Sequence, residues 1–131
     1  MKYLETPTDE TWYINGMFGL DIEKKVDILR FMYTILVECD SKKIYWHKPG
    51  NLKHIAEKWI ANTKGGHPYV ERASCVAAAI MIGIPVKLDK DAKNNLIGLH
   101  MSQKQMDKIY YNVCNNITVN IKEAKKEYLN R

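Results

Sequence analysis

The chain of 131 residues has no hydrophobic stretch long enough to cross a bilayer. Its longest apolar run, Ala77 to Val86, has about half of the roughly 20 residues that a membrane-spanning helix needs, and Gly83 and Pro85 interrupt it. The first ten residues also lack the basic start and the apolar middle of a secretory signal peptide. These absences predict a cytoplasmic protein without a membrane partner.

Cysteine is scarce, with three residues at Cys39, Cys75 and Cys114. An odd number at wide spacing argues against a disulfide framework and for a reducing compartment. Neither the cysteines nor the four histidines show the close C-x2-C or H-x3-H spacing of a structural zinc site. We therefore expect no metal and no other cofactor.

Catalytic motifs are missing as well. Thr63-Lys-Gly-Gly lacks the G-x-x-x-x-G-K-[ST] spacing of a phosphate-binding loop. No carboxylates stand at a spacing useful for catalysis, since Asp89 and Asp91 lie in a polar stretch typical of a loop. The chain is therefore predicted not to be an enzyme.

Positive charge is present and unevenly distributed. The net charge is +5, and the window from Ser41 to Lys64 carries all of it, with six lysines against the single acid Glu57. Such a cluster favours a polyanionic partner, because lysines close to phosphates release condensed counterions. The alternative is a solvated lysine-rich face without a binding role.

Helical periodicity dominates the rest of the chain. Asp21 to Glu38 carries apolar residues at three- and four-residue steps, which predicts a long central helix. The stripe expected to face the core comprises Ile22, Val26, Leu29, Tyr33 and Leu36, widened by Ile28, Met32 and Ile35. Ser102 to Gln105 forms a capping box between Met101 and Met106, so a later helix is expected to begin there. Thr118 is expected to cap a last helix.

The segment 51–84 has the pattern of a helix-turn-helix. Asn51 is a suitable N-cap for a helix ending near Ala61, and Gly65-Gly66 breaks that helix. A second helix is expected to begin at Pro68 and to end before Gly83. Together these patterns predict one all-α domain over residues 1–131, with five to six helices and an N-terminal arm over residues 1–19.

A helix-turn-helix presents the first turns of its second helix to DNA, while the later turns pack on the core. The candidate DNA-binding residues are Lys53, Lys58, Lys64, His67, Tyr69, Glu71 and Arg72. Arg72 could read guanine and Glu71 could accept a hydrogen bond from cytosine, with the lysines at phosphates. The alternative is that Ala73 to Ile80 is a small-residue core helix and that Glu71 and Arg72 are merely its exposed end.

Two short sequences carry a family resemblance. Ile55-Ala-Glu-Lys-Trp and Val70-Glu-Arg-Ala resemble the C-terminal DNA-binding effector domain of the sporulation-initiation response regulator of endospore-forming bacteria. The resemblance implies an all-helical domain that binds double-stranded DNA in tandem copies, with Glu71 and Arg72 at base-contacting positions. Tyr69 replaces an arginine of the family, and the turn is several residues longer. We expect no receiver domain, because 131 residues are too few to hold one beside this domain.

A second function remains open from the sequence alone. The aromatic residues Trp12, Tyr13, Tyr45, Trp46 and Tyr69 exceed what a small core requires, and aromatic side chains are favoured anchors of protein interfaces. A small protein-binding module or inhibitor is therefore the alternative to a DNA-binding regulator, and a homodimer is compatible with either function. DNA binding should depend steeply on salt, whereas a protein interface of this kind should depend on the aromatic side chains.

Overall fold

The computed structural model describes residues 10–115, with the exception of the Glu38 side chain. It contains five α-helices, three short β-strands and a 3-10 turn at Ala92–Asn94. The elements are α1 (Glu10–Phe18), α2 (Ile22–Glu38), β1 (Tyr45–His47), α3 (Pro49–Lys64), α4 (Arg72–Met81), β2 (Val86–Lys87), β3 (Leu96–Leu99) and α5 (Gln103–Cys114). None of the helices in this described part is long and apolar enough to cross a membrane.

The three strands form an antiparallel sheet in the order β1-β3-β2, so the predicted all-α fold is corrected to a mostly helical fold with a small sheet. Tyr45 pairs with Leu99, and Val86 pairs with Ile97. The central strand is buried, and a Cβ atom on Gly98 would lie 2.9 Å from the Trp46 ring. A side chain at position 98 would therefore force the Trp46 ring to move.

The centre of the fold is α4, on which α1, α2 and α3 all pack. Its side chains from Ser74 to Ala79 are all buried. Small side chains let neighbouring helices approach closely, which explains how so short a helix is enclosed. The alternative that this stretch is a core helix is thus confirmed.

Part of the expected N-terminal arm over residues 1–19 is a packed helix, and residues 1–9 of that arm lie outside the described residues. Residues 10–18 form α1, which lies against α4 and buries Tyr13 and Met17. Only these two of the nine residues in α1 are buried. Two buried positions are too few to give a clear helical period in the sequence.

The face of α2 that enters the core differs in part from the one predicted. Ile28, Met32 and Ile35, which were expected only to widen the stripe, are buried together with Phe31. Of the other predicted residues, Ile22, Val26 and Tyr33 are exposed, and Leu29 and Leu36 are half-buried against the core. The cause is that α2 is apolar on two faces, and periodicity alone does not say which of them is buried. Asp21 caps the helix by accepting a hydrogen bond from the Lys24 N–H at 2.8 Å.

Both helices of the predicted helix-turn-helix have different boundaries. α3 begins at Pro49 rather than Asn51, because proline suits the first helical position, and it continues to Lys64. α4 begins at Arg72 rather than Pro68. The connection 65–71 is therefore longer than the three- to four-residue turn of a helix-turn-helix, and Val70 is fixed in it by donating its N–H to Glu57 at 2.9 Å.

The predicted N-cap of α5 at Ser102 is confirmed. The Ser102 hydroxyl accepts a hydrogen bond from the Gln105 N–H at 3.2 Å, and Met101 and Met106 are both buried. Asn62 joins α5 to α3 by donating to the Val113 carbonyl at 2.8 Å. The last helix expected after Thr118 lies outside the described residues.

Candidate nucleic-acid interface

A cleft of about 350 Å³ lies where the first turns of α3 and α4 meet the 3-10 turn. Its lining residues are Lys48, Pro49, Gly50, Asn51, His54, Arg72, Ala92, Lys93 and Asn94. These include three permanent cations and no aspartate or glutamate. We name this surface the basic cleft.

Two helices begin at the basic cleft. Lys48 is the N-cap of α3 and Glu71 is the N-cap of α4, and neither side chain makes a capping hydrogen bond. The first N–H groups of a helix have no intrahelical acceptor and carry a partial positive charge. Both helix ends therefore add to the positive potential of the lysines and the arginine.

Arg72 lies directly over the first turn of α3. A Cβ atom on Gly50 would be 3.3 Å from Arg72 Nε and 3.8 Å from its Cζ, so the missing side chain lets the guanidinium approach the helix. Within residues 10–115, Arg72 forms no ion pair. A guanidinium held beside the positive end of a helix is in a repulsive position, which a bound anion would relieve.

The other cations of the basic cleft are accessible. Lys48 is exposed, and Lys93 is exposed with its Nζ 3.4 Å from the Asp91 carboxylate. Ion pairs between exposed groups contribute little, so Lys93 can exchange Asp91 for another anion at small cost. His54 lies at the rim, with Nδ1 3.7 Å from Glu57.

An apolar cavity of about 140 Å³ adjoins the basic cleft and shares four of its residues. Its remaining walls are Trp12, Tyr13, Ala73, Val76 and Asn95. Burial raises the pKa of Tyr13, although the hydrogen bond that its hydroxyl accepts from the Asn95 amide lowers it. The same amide accepts the Asp89 N–H at 2.7 Å. Asn95 thus ties α1 to the segment that forms one edge of the cleft.

The predicted phosphate contact Lys53 is engaged inside the chain. Its side chain is only 12% exposed, its Nζ lies 3.2 Å from Glu57, and it sits 4.4 Å from the centre of the Tyr69 ring. Partial burial raises the pKa of the Glu57 carboxyl, but hydrogen bonds from the Val70 N–H and Lys53 outweigh it and hold the pKa below its ordinary value. Lys53, Glu57 and Tyr69 therefore hold the connection 65–71 against α3.

Lys64 is likewise engaged, at the far end of α3. Its Nζ lies 2.5 Å from Glu23 and 3.0 Å from Asp27, and these two hydrogen bonds raise the pKa of the Lys64 ammonium. The lysine thereby joins α3 to α2. A phosphate at this position would have to displace two carboxylates.

The remaining predicted residues are exposed but do not converge on one site. Lys58 lies on α3 outside the basic cleft, and His67 and Tyr69 lie in the connection 65–71 rather than in a helix. Glu71 and Arg72 are exposed at the N-terminal end of α4, and this exposure was predicted from the sequence. Of the seven predicted residues, only Arg72 lines the basic cleft.

The predicted second helix is corrected in its start, because residues 68–71 precede α4 and the helix begins at Arg72. The side chains from Ser74 to Ala79 are buried, as expected for turns that pack on the core. The end of α4 at Glu71 and Arg72 is the part near the basic cleft that remains accessible.

The sequence reading missed Lys48 and Lys93 as site residues. Lys48 belongs to the lysine-rich window but was assigned to a turn, and Lys93 comes from a polar stretch far along the chain. The signal that could have found Lys48 is the Lys-Pro pair at a helix start, because it places the lysine at the N-cap. No signal in the sequence predicts that Lys93 lies close to Lys48.

The three cysteines have different surroundings. Cys75 is fully buried in α4, and burial raises the pKa of its thiol to about 12. Cys114 is exposed and Cys39 is half-buried. In the described part of the chain, histidines, cysteines and acids form no cluster of three suited to a metal ion.

Compared with known protein families, with curated proteins and with solved structures, the chain matches none of them.

Proposed function

We propose that the protein binds double-stranded DNA through the basic cleft and acts as a DNA-binding regulator. The observation that carries the proposal is Arg72, a guanidinium held at the positive end of α3 without an acidic partner among the described residues. Lys48 and Lys93 stand beside it, so consecutive phosphates of a DNA strand would find several cations on one surface.

The mode of binding follows from what is exposed. Because α1, α2 and α3 enclose α4, we place the DNA backbone along the beginnings of α3 and α4 and along residues 88–95. Contacts to phosphates position a protein but carry no sequence information, and the three cations of the basic cleft are placed for such contacts. We therefore expect strong salt dependence and modest sequence preference.

The test is fluorescence anisotropy with a labelled mixed-sequence duplex at low and moderate salt. The Arg72→Ala variant should bind at least about tenfold more weakly than the unmodified protein at low salt. The control is Lys108→Ala, which removes an exposed lysine on α5, away from the cleft. If the folded protein shows no binding at low salt, the proposal is overturned in favour of a protein partner.

A further inference from the structure

The outer face of α2 carries an exposed apolar stripe. Ile22, Val26 and Tyr33 are 76%, 38% and 46% exposed, and Leu29 and Leu36 lie half-buried along its edge. Phe18, at the end of α1, is also exposed beside the start of this helix. We name Ile22, Val26, Leu29, Tyr33 and Leu36 the α2 stripe.

The spacing within the α2 stripe is that of a helix–helix seam. Steps of four, three, four and three residues separate its members, which is the alternation of the apolar positions in a heptad repeat. The 17 residues of α2 span about 25 Å, enough for four layers of paired side chains. A helix face that contacts only solvent gains no stability from apolar side chains at this regular spacing.

We infer that the α2 stripe is a homodimer interface, in which α2 of a second copy of this chain packs antiparallel to it. In an antiparallel pair, Ile22 of each copy meets Tyr33 of the other, and Val26 meets Leu29. All four central layers are then apolar, and the two copies are related by a twofold axis that makes the interface self-complementary.

Charge decides between the antiparallel and the parallel arrangement. Glu23 and Arg30 flank the same side of the stripe, and both are exposed. Antiparallel packing brings Glu23 of each copy to Arg30 of the other, which gives two attractive pairs. Parallel packing would instead bring Lys25 to Arg30, which is repulsive. The complementarity of α2 with itself is the argument for a second copy as the occupant.

Glu23 also contacts Lys64 of its own chain, but this does not prevent the pairing. The Glu23 side chain is 75% exposed, and a carboxylate has acceptor sites for two cations. The stripe contains few residues, so we expect a dimer that dissociates on dilution.

The experiment is sedimentation equilibrium of the full chain over a wide concentration range. We expect the mass to rise from monomer to dimer, and Tyr33→Lys to weaken the dimer at least about tenfold. Tyr111→Lys is the matched control, because Tyr111 is a similarly exposed tyrosine on α5. Circular dichroism checks that both variants are folded. A protein that stays monomeric at every concentration overturns the inference. This result is expected if another segment of the same chain covers the α2 stripe.

Mixing two charge variants tests the antiparallel arrangement. Glu23→Arg alone and Arg30→Glu alone should each weaken the dimer, because like charges then face one another. The two variants mixed should associate with each other, since both pairs become attractive. If Arg30→Glu alone strengthens the dimer, the helices pair parallel and the inference is overturned. None of these measurements requires DNA, so their outcome is independent of the proposed function.

Discussion

Two groups of cations from neighbouring parts of the molecule have opposite surroundings. Lys53 and Lys64 lie on α3 and are each held by acids of the same chain. Lys48 and Arg72 stand at the helix beginnings and have no ion pair within residues 10–115. The charge count of the lysine-rich window does not distinguish these groups. What distinguishes them is whether the fold brings a carboxylate within reach.

The first consequence concerns function and should be the largest. Arg72→Glu removes a cation from the basic cleft and adds an anion, so we expect DNA binding at low salt to fall about 100-fold. Lys104→Glu makes the same charge change at an exposed position on α5 and should bind nearly as well as the unmodified protein. Equal losses in the two variants would mean that net charge, and not the cleft, governs binding.

The second consequence concerns stability. Glu57→Ala removes the acceptor that holds Lys53 and the Val70 N–H, and we expect a loss of about 2 kcal/mol in urea unfolding. The basic cleft lacks Glu57, so DNA binding of the folded variant should change little. Lys53→Met should cost less than Glu57→Ala, because it leaves the Val70 hydrogen bond intact. The reverse order of losses would show that Glu57 does not anchor the connection.

The same carboxylate predicts a pH dependence. The pKa of Glu57 is lower in the folded protein than its ordinary value of 4.5. Its contribution to stability is therefore fully present above that value and is lost as the pH falls through the folded pKa. As the pH is lowered from 6, the urea unfolding midpoint of the unmodified protein should approach that of Glu57→Gln. A constant difference between them at acid pH would contradict the role of the charge.

A smaller effect is expected at Gly50, where stability and binding should move in opposite directions. Alanine in the first turn of α3 favours the helix by about 0.5–1 kcal/mol, but its Cβ would crowd the Arg72 guanidinium. Gly50→Ala should therefore raise the thermal midpoint and weaken DNA binding a few-fold. If binding is unchanged, the position of Arg72 over α3 is not what the DNA recognises.

The smallest effect should come from Lys64. Its hydrogen bonds to Glu23 and Asp27 lie at the surface, where ion pairs are screened, and its ammonium group already donates to both carboxylates. Lys64→Gln should change neither DNA binding nor its salt dependence measurably. A clear loss of binding would show that Lys64 exchanges its carboxylates for phosphate, and the comparison between the two groups of cations would fail.

Local signals in the sequence predicted the parts of the fold that short segments determine. The N-cap at Ser102 and the glycine break after α3 are both present. The sheet was missed because β2 and β3 have two and four residues, too few for a visible alternation. The buried face of α2 was predicted only in part, through Ile28, Met32 and Ile35, because that helix is apolar on two sides.

The candidate site was only partly predictable, since it joins residues that are distant in sequence. Arg72 was identified from the polar start of its helix. Its neighbours Lys48 and Lys93 are brought to it by the packing of α3 and by the Asn95 link to α1. Lys53 and Lys64 were assigned to phosphates because a sequence shows the number of charges but not their partners. Which cations are free is decided by tertiary contacts.

The most direct test of the account is the salt dependence of DNA binding by a triple variant, Lys48→Ala with Arg72→Ala and Lys93→Ala. Each phosphate contact contributes about one to the slope of log K against log salt, so the triple variant should lose about three from that slope. The matched control is Lys53→Ala with Lys64→Ala, which should keep the slope of the unmodified protein. An unchanged slope in the triple variant, or an equal loss in the control, would contradict the assignment of the basic cleft as the DNA-binding surface.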